Sequence, residues 1–156
     1  MDPRYGGSHI RFIEDPVRNI TYSIGGGHIS VVDRTSKRAS IIYTLPLPYE
    51  GLENNQPVID RAGNLWISTN SGLYRFDPHE RRMTIVRPVD PRMDKALADL
   101  ACCVVEGSGT LWFGTSGYGL VKYDPRIERF NKWEDRSIRA LVPTASGKVL
   151  VGRYWE

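Results

Sequence analysis

A tryptophan-centred segment occurs twice in this chain, and its recurrence constrains the fold more than any other feature. Residues 60–69 (DRAGNLWIST) precede residues 72–78 (GLYRFDP), and residues 106–115 (EGSGTLWFGT) precede residues 119–125 (GLVKYDP). The tryptophans of the two copies stand 46 positions apart. A period of this length indicates a repeat architecture, in which each unit buries its apolar surface against its neighbours.

Two weaker copies flank these segments. Upstream, Asp15 precedes Asp60 by 45 positions, but Thr21 stands where the tryptophan is expected. Downstream, residues 138–152 repeat the first half of the unit, with Leu150 in the tryptophan position. The sequence therefore predicts three complete units and half of a fourth.

Each unit divides into four short apolar runs. In the second copy these runs cover residues 57–60, 65–69, 73–77 and 83–87, and Gly, Asn, Pro and Asp residues separate them. Runs of about 4–7 residues with such boundaries predict β-strands. A four-stranded antiparallel unit of about 40–45 residues that stacks on its neighbours is a propeller blade. The predicted fold class is all-β: a partial β-propeller of about three and a half four-stranded antiparallel blades.

The predicted blades form a single propeller segment over residues 1–156. A closed propeller needs roughly six to eight blades. We therefore expect further sequence or other chains to complete the ring. The predicted boundaries are residues 9–45, 57–87 and 100–133 for the three blades and residues 138–156 for the half blade.

Two links between the predicted blades are longer than tight turns. They cover residues 46–56 and 88–99, and residues 94–99 are able to form one helical turn. Loops between structural units are frequent places for recognition residues. Both links are therefore candidates for ligand contact, although a connecting role alone is the commoner one.

Trp66 and Trp112 are predicted to fill the layers between adjacent blades, because a blade cannot bury its own faces. A buried indole removes roughly 200 Å² from water, which is worth several kcal/mol at about 25 cal/mol per Å². Ile67 and Phe113 follow the tryptophans, so these strands are apolar on both faces. We expect both faces to be covered and the tryptophans to serve the framework.

These segments resemble the two-component regulator propeller repeat, which occurs in tandem in the extracytoplasmic sensor regions of hybrid histidine kinases. The repeat reads Asp-x-x-Gly-Asn-Leu-Trp-Ile-Gly-Thr, then a turn, Gly-Leu and aromatic-x-aromatic-Asp. Ser68 replaces its second glycine, and Glu106 and Thr110 replace its aspartate and asparagine in the third unit. The structural repeat motif is carried by Asp60, Gly63, Asn64, Leu65, Trp66, Gly72, Leu73, Tyr74, Phe76, Asp77, Gly109, Leu111, Trp112, Gly114, Thr115, Gly119, Leu120, Tyr123 and Asp124.

The resemblance implies a non-catalytic sensor or ligand-binding module of a bacterial two-component signal-transduction protein, located in the periplasm. It implies a small-molecule or oligosaccharide ligand, and further blades or self-association through open blade faces as partners. It assigns no ligand-binding residue.

Two alternatives stay open. The first is a propeller enzyme of the streptogramin-lyase type, whose blades also contain Gly-Asn-Leu-Trp and which needs histidines near the axis. In that case His28 is the histidine that lies within the strands of a blade. The second is a structural or protein-interaction propeller fragment.

The remaining composition favours no catalytic, cofactor, metal or nucleic-acid site. The net charge is +3, and Lys and Arg are scattered, whereas a nucleic-acid surface needs a concentrated basic patch. His9, His28 and His79 lack metal-ligand spacing. No run approaches the roughly 18 apolar residues of a membrane span, residues 1–7 do not resemble a secretory signal, and the kinase domains are absent from this sequence.

Two further patterns are interpreted as structural. Cys102 and Cys103 are adjacent in a predicted strand, so their side chains should point to opposite faces as buried, unpaired thiols. Aspartates that precede proline favour turn initiation. Such aspartates include those at positions 15, 77, 90 and 124.

Overall fold

The computed structural model describes residues 10–45, 57–69, 72–88, 90–133 and 136–153. Within those ranges the chain forms fourteen β-strands and one short α-helix. The elements are β1 (Arg11–Asp15), β2 (Ile20–Gly25), β3 (His28–Asp33), β4 (Arg38–Thr44), β5 (Val58–Ile59), β6 (Leu65–Thr69), β7 (Gly72–Asp77), β8 (Arg82–Val86), α1 (Arg92–Ala98), β9 (Leu100–Val105), β10 (Leu111–Thr115), β11 (Leu120–Asp124), β12 (Arg129–Trp133), β13 (Ile138–Pro143) and β14 (Val149–Arg153).

The strands form three four-stranded sheets and one two-stranded sheet, each in simple sequence order. Blade 1 contains β1–β4, blade 2 contains β5–β8, blade 3 contains β9–β12, and blade 4 contains β13 and β14. All pairings are antiparallel. The predicted all-β fold, a partial propeller of about three and a half blades, is confirmed.

Local differences from the predicted strands have simple causes. The run at 57–60 shortens to β5 because Asp60 donates its N–H to the carbonyl of Asn64 and so belongs to the following turn. The helical turn expected at 94–99 is a two-turn helix, α1, that begins earlier. His9, the link 46–56 and residues 154–156 of the predicted half blade lie outside the described residues.

The turn between the first two strands has the same backbone in blades 2, 3 and 4. Its fourth residue is Gly63, Gly109 or Gly147, with φ of 86°, 91° and 76°. Each glycine donates its N–H to the carbonyl three positions earlier, at 3.0, 2.8 and 3.1 Å. Glycine adopts this left-handed conformation without the steric cost that other residues meet. The glycines therefore fix where the second strand of each blade begins.

The turn before the last strand of blades 1–3 follows a second rule. The third strand ends in Asp33, Asp77 or Asp124, whose side chain accepts a backbone N–H from two positions later at 2.8–3.0 Å. A left-handed residue then leads into the outermost strand. Asp15 starts a similar turn before β2. The aspartates at 15, 77 and 124 thus start turns, as their Asp-Pro sequences predict.

Among the described residues, the three buried apolar clusters lie between the blades. The layer between blades 1 and 2 contains Tyr22, Ile24, Ile29, Leu45, Leu65, Ile67 and Phe76. The layer between blades 2 and 3 contains Trp66, Leu73, Leu111, Phe113, Val121, Tyr123 and three residues of α1, Met93, Ala96 and Leu97. The layer between blades 3 and 4 contains Leu120, Ile138 and Leu141.

Candidate functional site

Trp66 lies on β6, the second strand of blade 2, and pairs with Val58 of β5. Its side chain is 2% exposed and packs on Tyr123 of blade 3, with ring centroids 5.2 Å apart. The indole N–H donates to Asp60 Oδ2 at 2.8 Å, and Asn64 donates its backbone and side-chain N–H groups to the same carboxylate. Trp66 therefore fills an interblade layer, as its sequence position predicts, and the polar residues of the motif satisfy its single donor.

Blade 3 preserves this arrangement with different residues. The Trp112 indole donates to Glu106 Oε2 at 2.8 Å, and Ser108 bridges Glu106 and Thr110 through its hydroxyl. Trp112 stacks on Trp133 at 5.3 Å. Trp112 packs against the layer between blades 3 and 4, as its sequence position predicts, but its ring stays partly exposed, so the strand is not fully covered on this face. Blade 4 consists of two strands within the described residues.

Blade 1 has no tryptophan at this position, and an arginine replaces it as the donor. Arg18 Nη1 donates to Asp15 Oδ2 at 2.8 Å, and its Nη2 donates to the carbonyl of Ala62 in blade 2 at 2.7 Å. Burial raises the pKa of Asp15, but hydrogen bonds from Arg18 and Val17 and the charge of Arg18 lower it below its ordinary value overall. Thr21, in the tryptophan position, accepts a hydrogen bond from Arg34 Nε at 2.8 Å.

Several other motif residues have framework contacts. Gly114 lies against blade 4, and the Thr115 hydroxyl donates to the carbonyl of Gly119 and accepts the N–H of Tyr118. Tyr74 packs partly buried against the layer between blades 1 and 2. Gly72 and Gly119 have positive φ, at 124° and 87°. The buried apolar members are Leu65, Leu73, Phe76, Leu111, Leu120 and Tyr123.

The first strands of blades 1, 2 and 3 line a groove of about 470 Å³, which we call the inner groove. Its wall is mostly apolar. The apolar lining residues are Ile13, Pro16, Val17, Val58, Ile59, Val104, Val105 and Pro143, and Cys103 lies among them. A mainly apolar cavity of about 300–1,000 Å³ with a few polar groups is typical of small-ligand sites.

Two arginines lie at one rim of the inner groove, and each reaches towards the turn of the next blade. A Cβ atom built on Gly63 would lie 1.5 Å from Arg18 Nη1, and one built on Gly109 would lie 3.6 Å from Arg61 Cδ. Glu14, also on the rim, pairs with Arg34 at 2.7 Å. The sequence pattern did not point to this site, because each arginine acts across blades and belongs to no local motif.

The structure locates the remaining candidates elsewhere. The link 88–99 contains α1, whose Met93 and Leu97 pack into the layer with Trp66; ligand contact through this link stays a prediction. His28 Nδ1 lies 3.3 Å from the Thr44 hydroxyl on blade 1, and His79 lies in an exposed turn.

The two cysteines are free and lie on opposite faces of β9, as predicted, but they are partly buried where full burial was expected. Cys102 packs against the layer with blade 4, and Cys103 packs against the layer with blade 2. Burial raises the pKa of the Cys102 thiol, and it raises that of Cys103 well above its ordinary value. Both thiols are therefore poor nucleophiles at neutral pH.

In the part of the chain that the structure describes, no group of His, Cys, Asp or Glu has the geometry to hold a metal ion. Among those same residues, no helix has the length and apolar character needed to cross a membrane.

Comparison with known proteins supports the fold. No protein-family model and no curated protein sequence matches the chain. The extracellular domain of a protein described as a hybrid two-component system, from B. thetaiotaomicron, matches over 92% of this chain and 20% of its own, with a TM-score of 0.67 and 20% identity. The extracellular domain of a protein described as a one-component system, from the same organism, matches over 85% of this chain and 18% of its own. Its TM-score is 0.61 and its sequence identity is 17%.

An auxiliary nutrient binding protein from Bacteroides thetaiotaomicron matches over 94% of this chain and 36% of its own, with a TM-score of 0.65 and 13% identity. The chain thus spans between about a fifth and a third of the length of these solved structures. The resemblance that the repeat motif indicates is confirmed at the level of the fold: this chain has the propeller fold of extracellular domains from bacterial two-component sensor systems.

Proposed function

We propose that this chain is a non-catalytic, ligand-binding propeller segment, over residues 1–156, of a bacterial two-component sensor that faces the periplasm. The inner groove carries this proposal, because it is the apolar cavity with a polar rim that the described blades build together. The shared fold with extracellular sensor domains and with a nutrient binding protein supports it.

The hydrogen bonds around the groove support a non-catalytic role. Asp15 ends β1, and Asp60 and Glu106 directly follow β5 and β9, the first strands of blades 2 and 3. Each of these carboxylates already accepts a hydrogen bond from its own blade. A general acid or base must be free to exchange a proton with a substrate. His28, the residue on which the lyase alternative depends, is not among the residues that line the groove.

A ligand in the inner groove would contact three blades at once. Its wall combines β1, β5 and β9, which belong to blades 1, 2 and 3. A ligand shifts the arrangement of these blades and of neighbouring modules only if it binds one arrangement more tightly than another. Such a difference in affinity is the signal that a sensor of this kind would transmit through the membrane to a kinase.

Calorimetric titration with a panel of oligosaccharides and other nutrient-derived molecules tests the proposal. Gly107 lines the groove, and a Cβ built on it meets no atom within 4 Å. The variant Gly107→Phe therefore places a ring beside the groove with no clash at its Cβ, and we expect it to weaken binding at least about tenfold. The matched control, Arg38→Phe, changes an exposed residue of the outermost strand β4 and should leave the affinity unchanged.

If no compound of the panel binds, ligand sensing is excluded and a structural scaffold is the remaining role. One observation favours that second role: Phe12 and Ile41 on blade 1 are 58% and 59% exposed. Exposed apolar groups on a sheet favour packing against further blades. Size-exclusion chromatography with scattering would detect such packing as a discrete oligomer, and a monomer at all concentrations would count against it.

A further inference from the structure

The layer between blades 3 and 4 is covered on its inner side and open on its outer side. Ile138 and Leu141 of β13 are buried within it. Further out, on blade 3, Trp112 is partly exposed and Trp133 is 43% exposed. Their rings stack with centroids 5.3 Å apart, and the Lys122 ammonium lies 5.3 Å from the centre of the first ring and 6.0 Å from that of the second. We call Trp112, Lys122 and Trp133 the open aromatic face.

The layer between blades 2 and 3 shows what covers the equivalent face of blade 2. Trp66, the counterpart of Trp112, packs on Tyr123 of β11, the third strand of the next blade, and is 2% exposed. A cation stands opposite the indole in blade 2, where Arg75 pairs with Trp66 across the sheet. Lys122 pairs with Trp112 in the same way. The two faces therefore match, except that the described part of the chain supplies no third strand beside Trp112.

The covering ring comes from a fixed position in the third strand. Tyr123 stands opposite Leu111, the first residue of β10. Phe76 stands opposite Leu65, the first residue of β6, and packs on a ring of blade 1 with centroids 5.0 Å apart. In blade 4 the first residue of β14 is Val149. A third strand of blade 4 would therefore present its ring from the position opposite Val149.

The strand β14 has an edge at which such a third strand can pair. Among the described residues it pairs with β13 alone, whereas β6 and β10 each pair with a strand on both sides. An edge strand presents backbone N–H and C=O groups that direct the addition of another strand. Val149 and Val151 of β14 pack against the layer with blade 3. A strand added at this edge would therefore lie over the open aromatic face.

From these relationships we propose that the open aromatic face and the outer edge of β14 together bind a β-hairpin. Its first strand pairs antiparallel with β14 and places an aromatic ring opposite Val149 and against Trp112. The partner has the chemistry that β7 and β11 share, Gly-Leu, then a cation, an aromatic residue and Asp-Pro, in residues 72–78 and 119–125. This surface is separate from the inner groove, so the proposal holds whether or not the groove binds a ligand.

The hairpin of β7 and β8 is a suitable probe, because residues 72–87 contain no tryptophan. A copy of these residues is added after residue 156 of the intact chain, which gives the copied Gly72 the spacing from Leu150 that Gly119 has from Trp112. Acrylamide quenching of tryptophan fluorescence should then decrease relative to the parent chain. The same extension with Phe76→Ser in the copy should restore the quenching and lower Tm by at least about 5 °C, since it deletes a buried ring.

A double-mutant comparison tests whether the copied ring packs on Trp112. In the Trp112→Leu background, the difference in Tm between the Phe76 and Phe76→Ser extensions should shrink, because residues in contact are not additive. Leucine is the residue that blade 4 itself has at this position, Leu150. The matched control is Leu150→Ala, which changes a 61% exposed side chain of β14 and should leave the difference in Tm unchanged.

Circular dichroism of each variant checks that the fold is intact. Equal quenching and equal Tm for the two extensions overturn the proposal. A difference in Tm that persists in full in the Trp112→Leu background also overturns it, because the ring then packs elsewhere. If the parent chain is a discrete oligomer by size-exclusion chromatography with scattering, and the extension neither separates it nor changes the quenching, a second copy occupies this face and the hairpin proposal is wrong.

Discussion

Trp112 donates its indole N–H to Glu106 Oε2 at 2.8 Å, the same distance that joins Trp66 to Asp60 Oδ2. The longer glutamate therefore replaces the aspartate of the repeat without loss of the bond. The two pairs differ in burial, because Trp66 is almost inaccessible and Trp112 is half-buried. Water can reach the second indole and cannot reach the first.

Asp60→Ala should lower the free energy of unfolding by about 2–3 kcal/mol, because it leaves a buried indole N–H without an acceptor. Glu106→Ala should lower it by about 1 kcal/mol, since water can hydrate the Trp112 indole. Urea denaturation followed by circular dichroism measures both values. An equal decrease in the free energy of unfolding for both variants would show that burial does not set the strength of these indole–carboxylate hydrogen bonds.

Glu128→Gly should raise the free energy of unfolding by up to about 1 kcal/mol. Glu128 has φ of 48°, a left-handed conformation that costs a non-glycine residue about 1–2 kcal/mol. Glycine avoids this cost but loses part of the gain through its greater freedom in the unfolded chain. Glu128→Ala, which removes the side chain and keeps the strain, is the control in the same urea titration and should show no gain.

Gly114→Ala should destabilise the contact between blades 3 and 4. The added Cβ would lie 2.6 Å from both Cys102 Sγ and Ile138 Cγ2, and such overpacking costs about 1–3 kcal/mol. The control Gly107→Ala meets no atom within 4 Å and should change stability by less than about 0.5 kcal/mol. Adding Ile138→Ala to Gly114→Ala should cost less than the sum of the two single changes; simple additivity would contradict the clash.

Acid should destabilise the fold through Asp124. The hydrogen bond from the Arg126 side chain, with backbone and charge effects, lowers the pKa of Asp124 from 3.8 to about 2. The unfolded chain therefore takes up the proton first as pH falls, so the stabilising effect is complete above 3.8 and disappears as pH falls to about 2. Asp15, Asp33 and Asp77 have lowered pKa values and act in the same direction.

Thermal unfolding between pH about 5 and about 2 measures this effect. Asp124→Asn and Arg126→Gln should each reduce the decrease in Tm over that range. The first removes the carboxyl group that titrates, and the second removes the partner that lowers its pKa. An unchanged decrease in both variants would assign acid sensitivity to other carboxylates.

The sequence predicted the strands around the tryptophans closely, because short apolar runs bounded by glycine and aspartate are a strong signal for β-strands. β6 has the predicted bounds, and β7 and β8 each begin one residue earlier than predicted. The helix α1 was only partly predicted, because its packing on Trp66 is a tertiary contact that local residues do not encode. The site was not predicted: Arg18 bonds to Ala62, which is 44 positions away and on another blade.

The repeated turn at Gly63, Gly109 and Gly147 survives where the tryptophan does not, since Leu150 occupies the indole position of blade 4. The same backbone geometry therefore forms with either a tryptophan or a leucine in the following strand. The tight bend and its left-handed glycine are the element that blades 2, 3 and 4 share, and the aromatic ring is not needed to form it.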